Sequence, residues 1–398
     1  MSIYSIGLSG LMAASEDLDG ISQNIANSST AGYKSVTTSF AASYSGGEAS
    51  GVSVAATTQS FDDDGDLVST DSGLDVAISG TGFFILNSAD GTTAYTRVGS
   101  FSTDSDYNIV TSGGLNVQGY GVDEEGNIVA GVLTNLAISD TTLAAEASTE
   151  VTLTANMNAD ATTIDTTSST YSFDAEDGTT YNYSISTEVY DSQGSSHTLT
   201  QYYVKTADNT WSVHYSLDGT VQSQVDSLTF DSEGILTTPT EAITLMIDLD
   251  SVDDLTLSLA VDGLTQYATS FSSTSDADGY TAGALSDVSF DEEGYLWATY
   301  DNGETLLQGQ LVLASFSNEN GLETADNTTW YATSASGAPT YGTAGTGSLG
   351  SLTVGSYESS NVDVSSELVD LMTAQQVYQA NAKVLTAADD LASVLFNM

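Results

Sequence analysis

The sequence predicts a mainly β protein with α-helical termini, and three observations lead to that fold class. Apolar residues recur at helical spacing in the first and last segments of the 398-residue chain. Between these segments the pattern changes to alternation with a period of two, punctuated by turn motifs that contain glycine. Hydrophobic residues make up 40% of the chain, which is enough for folded cores, and the length allows two or three domains.

The N-terminal segment carries an apolar stripe that predicts an amphipathic helix. Successive apolar residues are three or four positions apart, so they share one helical face. The stripe contains Leu8, Leu11, Leu18, Ile21 and Ile25. The polar run from Asn27 to Gly32 then ends the pattern. A secretory signal peptide would need a basic start and a continuous apolar block, which this segment lacks, so we expect it to remain in the mature protein.

The C-terminal segment predicts a second helix of the same kind. Its stripe contains Leu368, Leu371, Tyr378, Leu385, Leu391 and Leu395. Asp363 or Ser365 can cap the start of this helix, because either side chain can accept a hydrogen bond from an unpaired backbone amide. We expect the two helices to pair in a coiled-coil-like inner domain. Periodicity alone leaves open whether the apolar stripes pack within one molecule or against further copies of it.

The middle of the chain predicts strands joined by tight turns. Residues 198–204 and 211–215 alternate in polarity, and the polar residues 207–210 between them predict a hairpin. A motif with aspartate first and glycine fourth recurs along the chain, and four acidic copies of it predict a type I turn followed by a left-handed residue. The four copies are Asp62–Gly65, Asp123–Gly126, Asp231–Gly234 and Asp291–Gly294.

Shifts in composition suggest how the chain is divided. Stretches rich in serine, threonine and aspartate at 139–170 and 272–285 flank the region with the clearest alternation. They predict a β-domain inserted into a second one, whose two segments lie between the terminal helices. The predicted parts are an inner helical domain (1–28 and 361–398), a connecting extended or β segment (29–70), an inner β-domain (71–145 and 281–360) and an inserted outer β-domain (146–280).

The net charge restricts the possible partners. There are 54 acidic residues but only 4 Lys and Arg residues, which gives a formal net charge of −50. Such a chain repels phosphate backbones and anionic lipid surfaces, so we expect no nucleic-acid partner and no membrane-surface partner. No apolar run reaches the length of about 18 residues that would predict a membrane span. Self-repulsion at this charge density requires screening, so we expect a saline setting.

Neither a metal site nor a catalytic site is predicted. The acidic turns lack the ligand register of an EF-hand, and cysteine is absent from the sequence. His197 and His214 fall on predicted strands and are interpreted as ordinary strand residues, although a two-histidine metal site is conceivable. No Gly-x-Ser-x-Gly nucleophile motif occurs, so we expect no enzyme activity, no cofactor and no metal. Arg97, the one arginine, is expected to pair with a carboxylate.

Several motifs resemble those of the bacterial flagellar rod and hook protein family. The N-terminal motif spans 8–14 and 21–34, the C-terminal motif spans 359–368 and 374–384, and internal motifs lie at 74–84, 300–303 and 313–316. The signature positions of the family correspond to Asn24, Asn27, Thr30, Gly32, Tyr33, Asn361, Asp363, Gln375 and Asn381. Gln23 departs from the pattern, because the family usually has asparagine there.

The resemblance implies a fold and a function. The length favours a hook-type member over the shorter distal rod proteins, which would lack most of 146–280. The resemblance implies that the terminal helices pair in an inner tube, with β-domains stacked outward. It also implies that many copies form a curved homopolymer, which links rod to filament as a universal joint. The implied partners are many copies of the same chain, the flagellar rod, hook cap and hook–filament junction proteins, and the flagellar type III export apparatus. The implied location is extracellular, in the flagellar hook and basal body, reached without a cleaved signal peptide.

Three alternatives share some of these features. A calcium-dependent surface adhesin or S-layer-like protein would also be acidic and rich in β-turns, but it would not need two terminal apolar stripes. A secreted hydrolase would need a catalytic site that the sequence does not reveal. A distal rod protein of the same family would share the terminal motifs, and the length of the chain counts against it.

Overall fold

The computed structural model describes residues 3–45, 48–123, 126–249 and 252–396. Within these ranges α1 (Ile3–Ala26) and α2 (Val364–Phe396) lie at the two ends of a chain that is otherwise built of strands, which confirms the predicted fold class. The strands are β1 (Val36–Ser45), β2 (Glu48–Gln59), β3 (Leu67–Ser69), β4 (Val76–Ser79), β5 (Phe83–Asn87), β6 (Thr93–Thr96), β7 (Phe101–Thr103), β8 (Ile109–Thr111), β9 (Asn116–Val122), β10 (Ile128–Asn135), β11 (Thr142–Leu143), β12 (Glu150–Asn158), β13 (Tyr183–Tyr190), β14 (Ser196–Ala207), β15 (Thr210–Leu217), β16 (Thr220–Phe230), β17 (Leu236–Thr238), β18 (Ile243–Ile247), β19 (Leu255–Leu259), β20 (Gly263–Tyr267), β21 (Ser272–Ala277), β22 (Gly283–Phe290), β23 (Tyr295–Tyr300), β24 (Thr305–Leu311), β25 (Leu313–Ser315), β26 (Glu323–Ala325), β27 (Thr329–Tyr331), β28 (Thr340–Gly342), β29 (Ser351–Val354) and β30 (Ser356–Glu358). A short 3-10 helix spans Glu319–Gly321.

The described residues form two compact units. The first contains residues of 1–139, 287–298 and 305–398, and the second contains residues of 140–286 and 299–304. Both helices belong to the first unit. The domain boundaries predicted from the sequence, with an inserted domain at 146–280, remain a prediction.

The second unit has one core between two five-stranded sheets. One sheet is an antiparallel meander from β13 to β17, and in the other β12 pairs with β19, β20 and β21 while β18 pairs with β19. Along β13 the buried side chains of Ile185 and Val189 alternate with exposed polar ones, as a strand with one covered face requires. Trp211 and Tyr203 from one sheet and Leu257 from the other are among the fully buried residues of the shared core.

Three of the four predicted acidic turns end in a left-handed glycine as expected, and in the turn at Asp123–Gly126 the two central residues lie outside the described part of the structure. Gly126, Gly234 and Gly294 adopt positive φ angles of 78°, 83° and 82°, a conformation that glycine adopts without steric cost. The amide of each glycine donates to the carbonyl of the aspartate three positions earlier, at 3.0 to 3.2 Å. The hairpin predicted around 207–210 is also confirmed, because β14 and β15 pair in antiparallel register on either side of it.

The fourth predicted turn, at Asp62–Gly65, is wrong. The chain bends there without a left-handed residue at Gly65. The physical reason is a competing set of contacts: the Asp64 carboxylate lies 2.6 Å from Arg97, and the Gly65 amide donates to the Glu358 carboxylate at 2.9 Å. Long-range charge pairing has replaced the local turn.

The core of the first unit is built around β5, which is buried on both faces. β5 pairs with β6 on one edge and with β9 and β25 on the other. Phe83 and Ile85 belong to an apolar cluster that includes Trp330, whereas Phe84 and Leu86 belong to a separate cluster. A strand covered on both faces carries consecutive apolar residues, which these four positions provide.

A long hairpin of β1 and β2 is anchored to this core at its base. Phe61, two residues beyond β2, packs edge-on against Phe83 and Trp330 at ring-centroid distances of 5.6 and 5.4 Å. The Trp330 indole N–H donates to the Gln59 side-chain oxygen at 2.8 Å. The hairpin therefore has a fixed base, from which its two strands extend along α1. The sequence predicted this region, within 29–70, only as a connecting extended or β segment.

Candidate assembly surface

Helices α1 and α2 pack together through small residues of α1. A Cβ atom on Gly7 would lie 3.4 Å from the Leu385 side chain, and one on Gly10 would lie 2.8 Å from the Asn381 amide oxygen. Small residues let two helix backbones approach closely, because the distance between the axes depends on the side chains at the contact. At these two positions the helix backbones therefore approach each other without a large side chain of α1 between them.

The β1–β2 hairpin also packs on α1 at a glycine. Gly51 has a φ of +139°, and a Cβ atom there would overlap the Ser9 hydroxyl oxygen, so only glycine fits. The Ser9 hydroxyl accepts a hydrogen bond from the Val52 N–H at 3.2 Å and donates to the Ile6 carbonyl at 2.8 Å. This contact holds the hairpin against the first half of the helix.

Asn24 joins α1, the hairpin and α2. Its side-chain N–H group donates to the Val36 carbonyl and to the Glu367 carboxylate, both at 2.9 Å. Its side-chain oxygen accepts from the Val36 N–H at 2.8 Å and from the Tyr33 hydroxyl at 3.3 Å. Asn24 is 2% exposed, so these partners satisfy an amide that water cannot reach. An aspartate could not supply the two donated hydrogen bonds.

Asn361 has a similar part just before α2. Its side-chain oxygen accepts from the Ser35 N–H at 2.7 Å. Its side-chain N–H group donates to the carbonyls of Ser60 and Asp63, each at 3.0 Å. The start of α2 is thereby fixed to both ends of the hairpin, since Ser35 precedes β1 and Ser60 follows β2.

Other signature residues shape the helix ends. Asp363 caps α2, as one of the two predicted options, and its carboxylate accepts from the Ser365 N–H at 2.8 Å. Hydrogen bonds from these backbone amides lower the pKa of Asp363. After α1, the Thr30 hydroxyl donates to the Asn27 side chain at 3.2 Å, and Gly32 has a positive φ of 65°. Gln375 and Asn381 lie within α2, where Gln375 is exposed and Asn381 is half-buried.

A buried ion cluster lies near the base of the hairpin. Lys34 Nζ lies 2.7 Å from Glu358 Oε1, and the Arg97 guanidinium lies 2.6 Å from Asp64 and 3.4 Å from Glu358. Lys34, Arg97 and Glu358 are almost fully buried. The predicted pairing of Arg97 with a carboxylate is confirmed. The sequence analysis did not predict the pairing of Lys34 with Glu358. The small number of Lys and Arg residues was an available signal, because a buried cation needs a nearby acid.

A groove of about 820 Å³ lies between α1, the β1–β2 hairpin and α2. Its lining is mostly apolar or small, and the acids along it are Asp17, Glu367 and Asp370. Burial raises the pKa of Asp17, and the nearby Asp370 carboxylate raises it further. Burial also raises the pKa of Glu367, which the hydrogen bond from Asn24 partly offsets. The groove therefore concentrates negative charge on an apolar lining.

Most of the predicted stripe residues are left uncovered or half-covered in the single chain. Leu368 is 48% exposed and Leu391 is 57% exposed, Leu8 and Tyr378 are also exposed, and Ile21 is buried. The half-buried members are Leu11, Leu18, Ile25, Leu371 and Leu385. The side chain of Leu395 lies outside the described part of the structure. Further exposed apolar residues on the helices are Tyr4, Ile6, Met12, Val369, Met372, Val377 and Val384. We call the exposed members of both sets the apolar helix faces.

The described residues contain no group of three or more His, Cys, Asp or Glu that could hold a metal ion. His197 and His214 lie on β14 and β15, as predicted, but have separate surroundings. His197 pairs with Asp218 at 2.7 Å, which raises the pKa of the imidazole, whereas His214 stacks on Phe173 at a centroid distance of 4.1 Å. Burial lowers the pKa of His214. Neither helix, over its described residues, is apolar enough along its length to span a bilayer.

Four family models match successive parts of the chain. The model described as Flagella basal body rod protein matches 5–34, and the Flagellar hook protein FlgE/F/G D1 domain matches 77–174. The Flagellar basal body protein FlaE D2 domain matches 156–280, and the Flagellar basal body rod FlgEFG protein C-terminal model matches 353–398. The two terminal models cover α1 and α2, and the two internal ones cover strands of both units.

Relatives match the chain from end to end. It is 37% identical over 405 residues to the flagellar hook protein FlgE of Escherichia coli (strain K12), with 99% of each chain covered. It is 36% identical over 405 residues to FlgE of Salmonella typhimurium, again with 99% of each covered. It is 30% identical over 410 residues to FlgE of Brucella suis, with 100% of each covered.

A solved structure supports the fold. The crystal structure of Helicobacter pylori flagellar hook protein FlgE2 aligns with a TM-score of 0.52 and 15% sequence identity. The alignment covers 72% of this chain and 98% of that one. At this identity the likeness concerns the fold alone.

Proposed function

This chain belongs to the flagellar hook protein family, and from that membership we propose that it is the structural subunit of a bacterial flagellar hook. Many copies assemble into a curved helical tube that transmits torque from rod to filament as a universal joint. The role is structural and not enzymatic. The observation that carries the proposal is the exposure of the apolar helix faces at both ends of the chain.

Assembly would cover these faces. Burying one large apolar side chain contributes about 1.5–3 kcal/mol before the cost of ordering is counted. Contiguous exposed apolar surface on a folded chain marks an interaction site, and the apolar helix faces stay exposed although α1 and α2 pack together. Identical copies supply identical faces, so a homopolymer satisfies all of them.

We assign two roles to the signature residues. Asn24, Asn361 and Asp363 shape the subunit, because each is committed to hydrogen bonds within the chain. Gln375 is exposed on α2 and is available to a neighbouring copy. The stripe residues that the single chain leaves exposed, which are Leu8, Leu368, Tyr378 and Leu391, form the permanent contacts of the tube.

The second unit is suited to contacts between subunits that change as the tube bends. Bending a rotating tube makes every subunit lengthen and shorten its contacts once per turn, which favours polar, hydrated interfaces over apolar ones. The exposed face of β13 carries Ser184, Ser186 and Glu188, and these residues offer hydrogen bonds that water can replace. We therefore infer that the exposed strand faces of the second unit provide the sliding contacts.

The family membership also supports a location and a set of partners. We propose that the chain works outside the cell, in the hook and basal body of the flagellum. It would reach that place through the flagellar type III export apparatus, without a cleaved signal peptide. Its neighbours at the ends of the tube would be the rod, the hook cap and the hook–filament junction proteins.

A double substitution on α2 tests the assembly role. Leu368→Glu with Leu391→Glu places charge on two exposed positions, so the monomer should keep its circular dichroism spectrum and its unfolding temperature. The concentration of protein needed for polymerisation should rise more than about 100-fold, because each burial contributes about 1.5–3 kcal/mol. Sedimentation and negative-stain electron microscopy would measure this.

Gln376→Glu is the matched control for that double variant. It adds a negative charge to an exposed position of the same helix without removing apolar surface, and it should form tubes like the wild type. If the double variant also forms tubes at the wild-type concentration, the helix faces are not the assembly surface.

A further inference from the structure

Lys383 is the one Lys or Arg side chain that the folded chain leaves exposed. Lys34 and Arg97 are buried in the ion cluster, and Lys205 is buried with its ammonium group donating to the Ala159 and Ala161 carbonyls at 2.6 and 3.1 Å. Lys383 lies on α2 and forms no ion pair with any described residue. In a chain of net charge −50, such an exposed cation is available to pair with an acid of another copy.

The groove between α1, the hairpin and α2 carries the opposite charge to Lys383. Asp17, Glu367 and Asp370 lie along it, and no Lys or Arg of the described chain pairs with any of them. Glu367 is already held by Asn24, whereas Asp370 is exposed. Asp17 and Asp370 are close enough to repel each other, so a cation placed between them would relieve that repulsion.

Lys383 cannot reach the groove acids of its own helix. Asp370 and Lys383 are thirteen positions apart on α2, which separates them by roughly 20 Å along the axis at a rise of 1.5 Å per residue. A lysine side chain is far shorter than that distance. Any pair between these two charges must therefore join two copies of the chain.

We propose that Lys383 of one copy enters the groove of a neighbouring copy and pairs there with Asp370 and Asp17. This inference rests on the proposed assembly of the chain into a tube. Subunits of such high negative charge repel one another, and this pair supplies an attraction that only one register satisfies. Copies related by the symmetry of the tube would be offset by roughly 20 Å along α2, so the pair selects that register among those the apolar helix faces allow.

A zero-length crosslink tests the pair directly. A carbodiimide joins an amine to a carboxylate only where the two touch, and Lys383 is the exposed lysine of the described chain. Treating wild-type tubes should give covalently linked chains whose digest contains the Lys383 peptide joined to the peptide of Asp370 or Asp17. If the tubes form but Lys383 is recovered uncoupled, or coupled only to other acids, the inference is wrong.

Substitutions at Lys383 give an independent readout. Lys383→Gln should raise the polymerisation concentration about fivefold near 0.15 M salt, which is the effect of losing one partly exposed ion pair, and the difference should shrink at 1 M NaCl. Lys383→Arg should keep the wild-type concentration, and the charge swap Lys383→Asp with Asp370→Lys should recover most of the loss. Equal polymerisation of Lys383→Gln and the wild type would overturn the pair. Failure of the wild type itself to form tubes would instead overturn the proposed function.

Discussion

Single residues show how a chain with four Lys and Arg residues uses them. Glu358 is buried and lies between Lys34 and Arg97, so it pairs with two cations from earlier in the chain, and Asp64 supplies the second carboxylate. The Glu358 Oε1 atom also accepts from the Gly65 amide at 2.9 Å. This cluster ties together parts of the chain that are far apart in sequence, and its cost of burial is offset only while every member keeps its partners.

Glu358→Ala should therefore destabilise the first unit strongly. Removing the acid leaves Lys34 and Arg97 buried with Asp64 as their remaining carboxylate, and breaking a buried ion pair from one side costs about 3–5 kcal/mol. Urea denaturation of the monomeric protein would measure the loss. Glu292→Ala, at an exposed acid in the same unit, is the control and should change the free energy of unfolding by less than about 0.5 kcal/mol. A loss below about 1 kcal/mol at Glu358 would show that the cluster is not essential.

Secondary-structure elements were the level at which the sequence was most informative. The α1 stripe predicted a helix within 1–28, and the structure has it at Ile3–Ala26, because a repeat of three and four over about five turns is a strong signal. Periodicity did not reveal which face of α1 contacts α2. That face is marked by Gly7 and Gly10, and small residues contribute almost nothing to a hydrophobic pattern.

The hydrophobic pattern of the sequence did not predict the contacts between distant segments. The β1–β2 hairpin pairs Val36 with Gln59, and nothing in the alternation of 29–70 specifies that register. Asn24 and Asn361 were found through the family resemblance, and their roles became clear only from hydrogen-bond partners elsewhere in the chain. The prediction of a turn at Asp62–Gly65 was wrong for the same reason, since a long-range ion pair outweighed the local preference for a turn.

The contact between α1 and the hairpin depends on Gly51. Gly51→Ala combines a φ of +139°, which strains any residue with a Cβ atom by about 1–3 kcal/mol, with overlap against the Ser9 hydroxyl. We expect amide hydrogen exchange in the first half of α1 to accelerate, because the hairpin is pushed away from the helix. Gly131→Ala is the control, since Gly131 has a φ of +99° but no atom near its Cβ position, and its substitution should leave α1 protection unchanged. Unchanged exchange in Gly51→Ala would refute the proposed role of this contact.

For the whole molecule, charge and assembly are linked. The full-length match to hook proteins accounts for the helices, the β units and the order of the motifs. The net charge of −50 is a property of the whole chain, because only 4 Lys and Arg residues offset 54 acids. Self-repulsion therefore opposes both the compact fold and the approach of further copies, and dissolved ions must reduce it.

The unfolding temperature should consequently rise with salt. The Debye length falls from about 10 Å at 0.1 M to about 3 Å at 1 M, so repulsion between surface acids is largely removed over that range. We expect calorimetry of the monomer to show a gain of at least about 5 °C between these concentrations, equal for NaCl and KCl because screening depends on ionic strength. Identical unfolding temperatures at both concentrations would count against self-repulsion as the dominant charge effect. A steep rise that saturates at low calcium would instead indicate a bound ion and favour the calcium-dependent surface protein considered from the sequence.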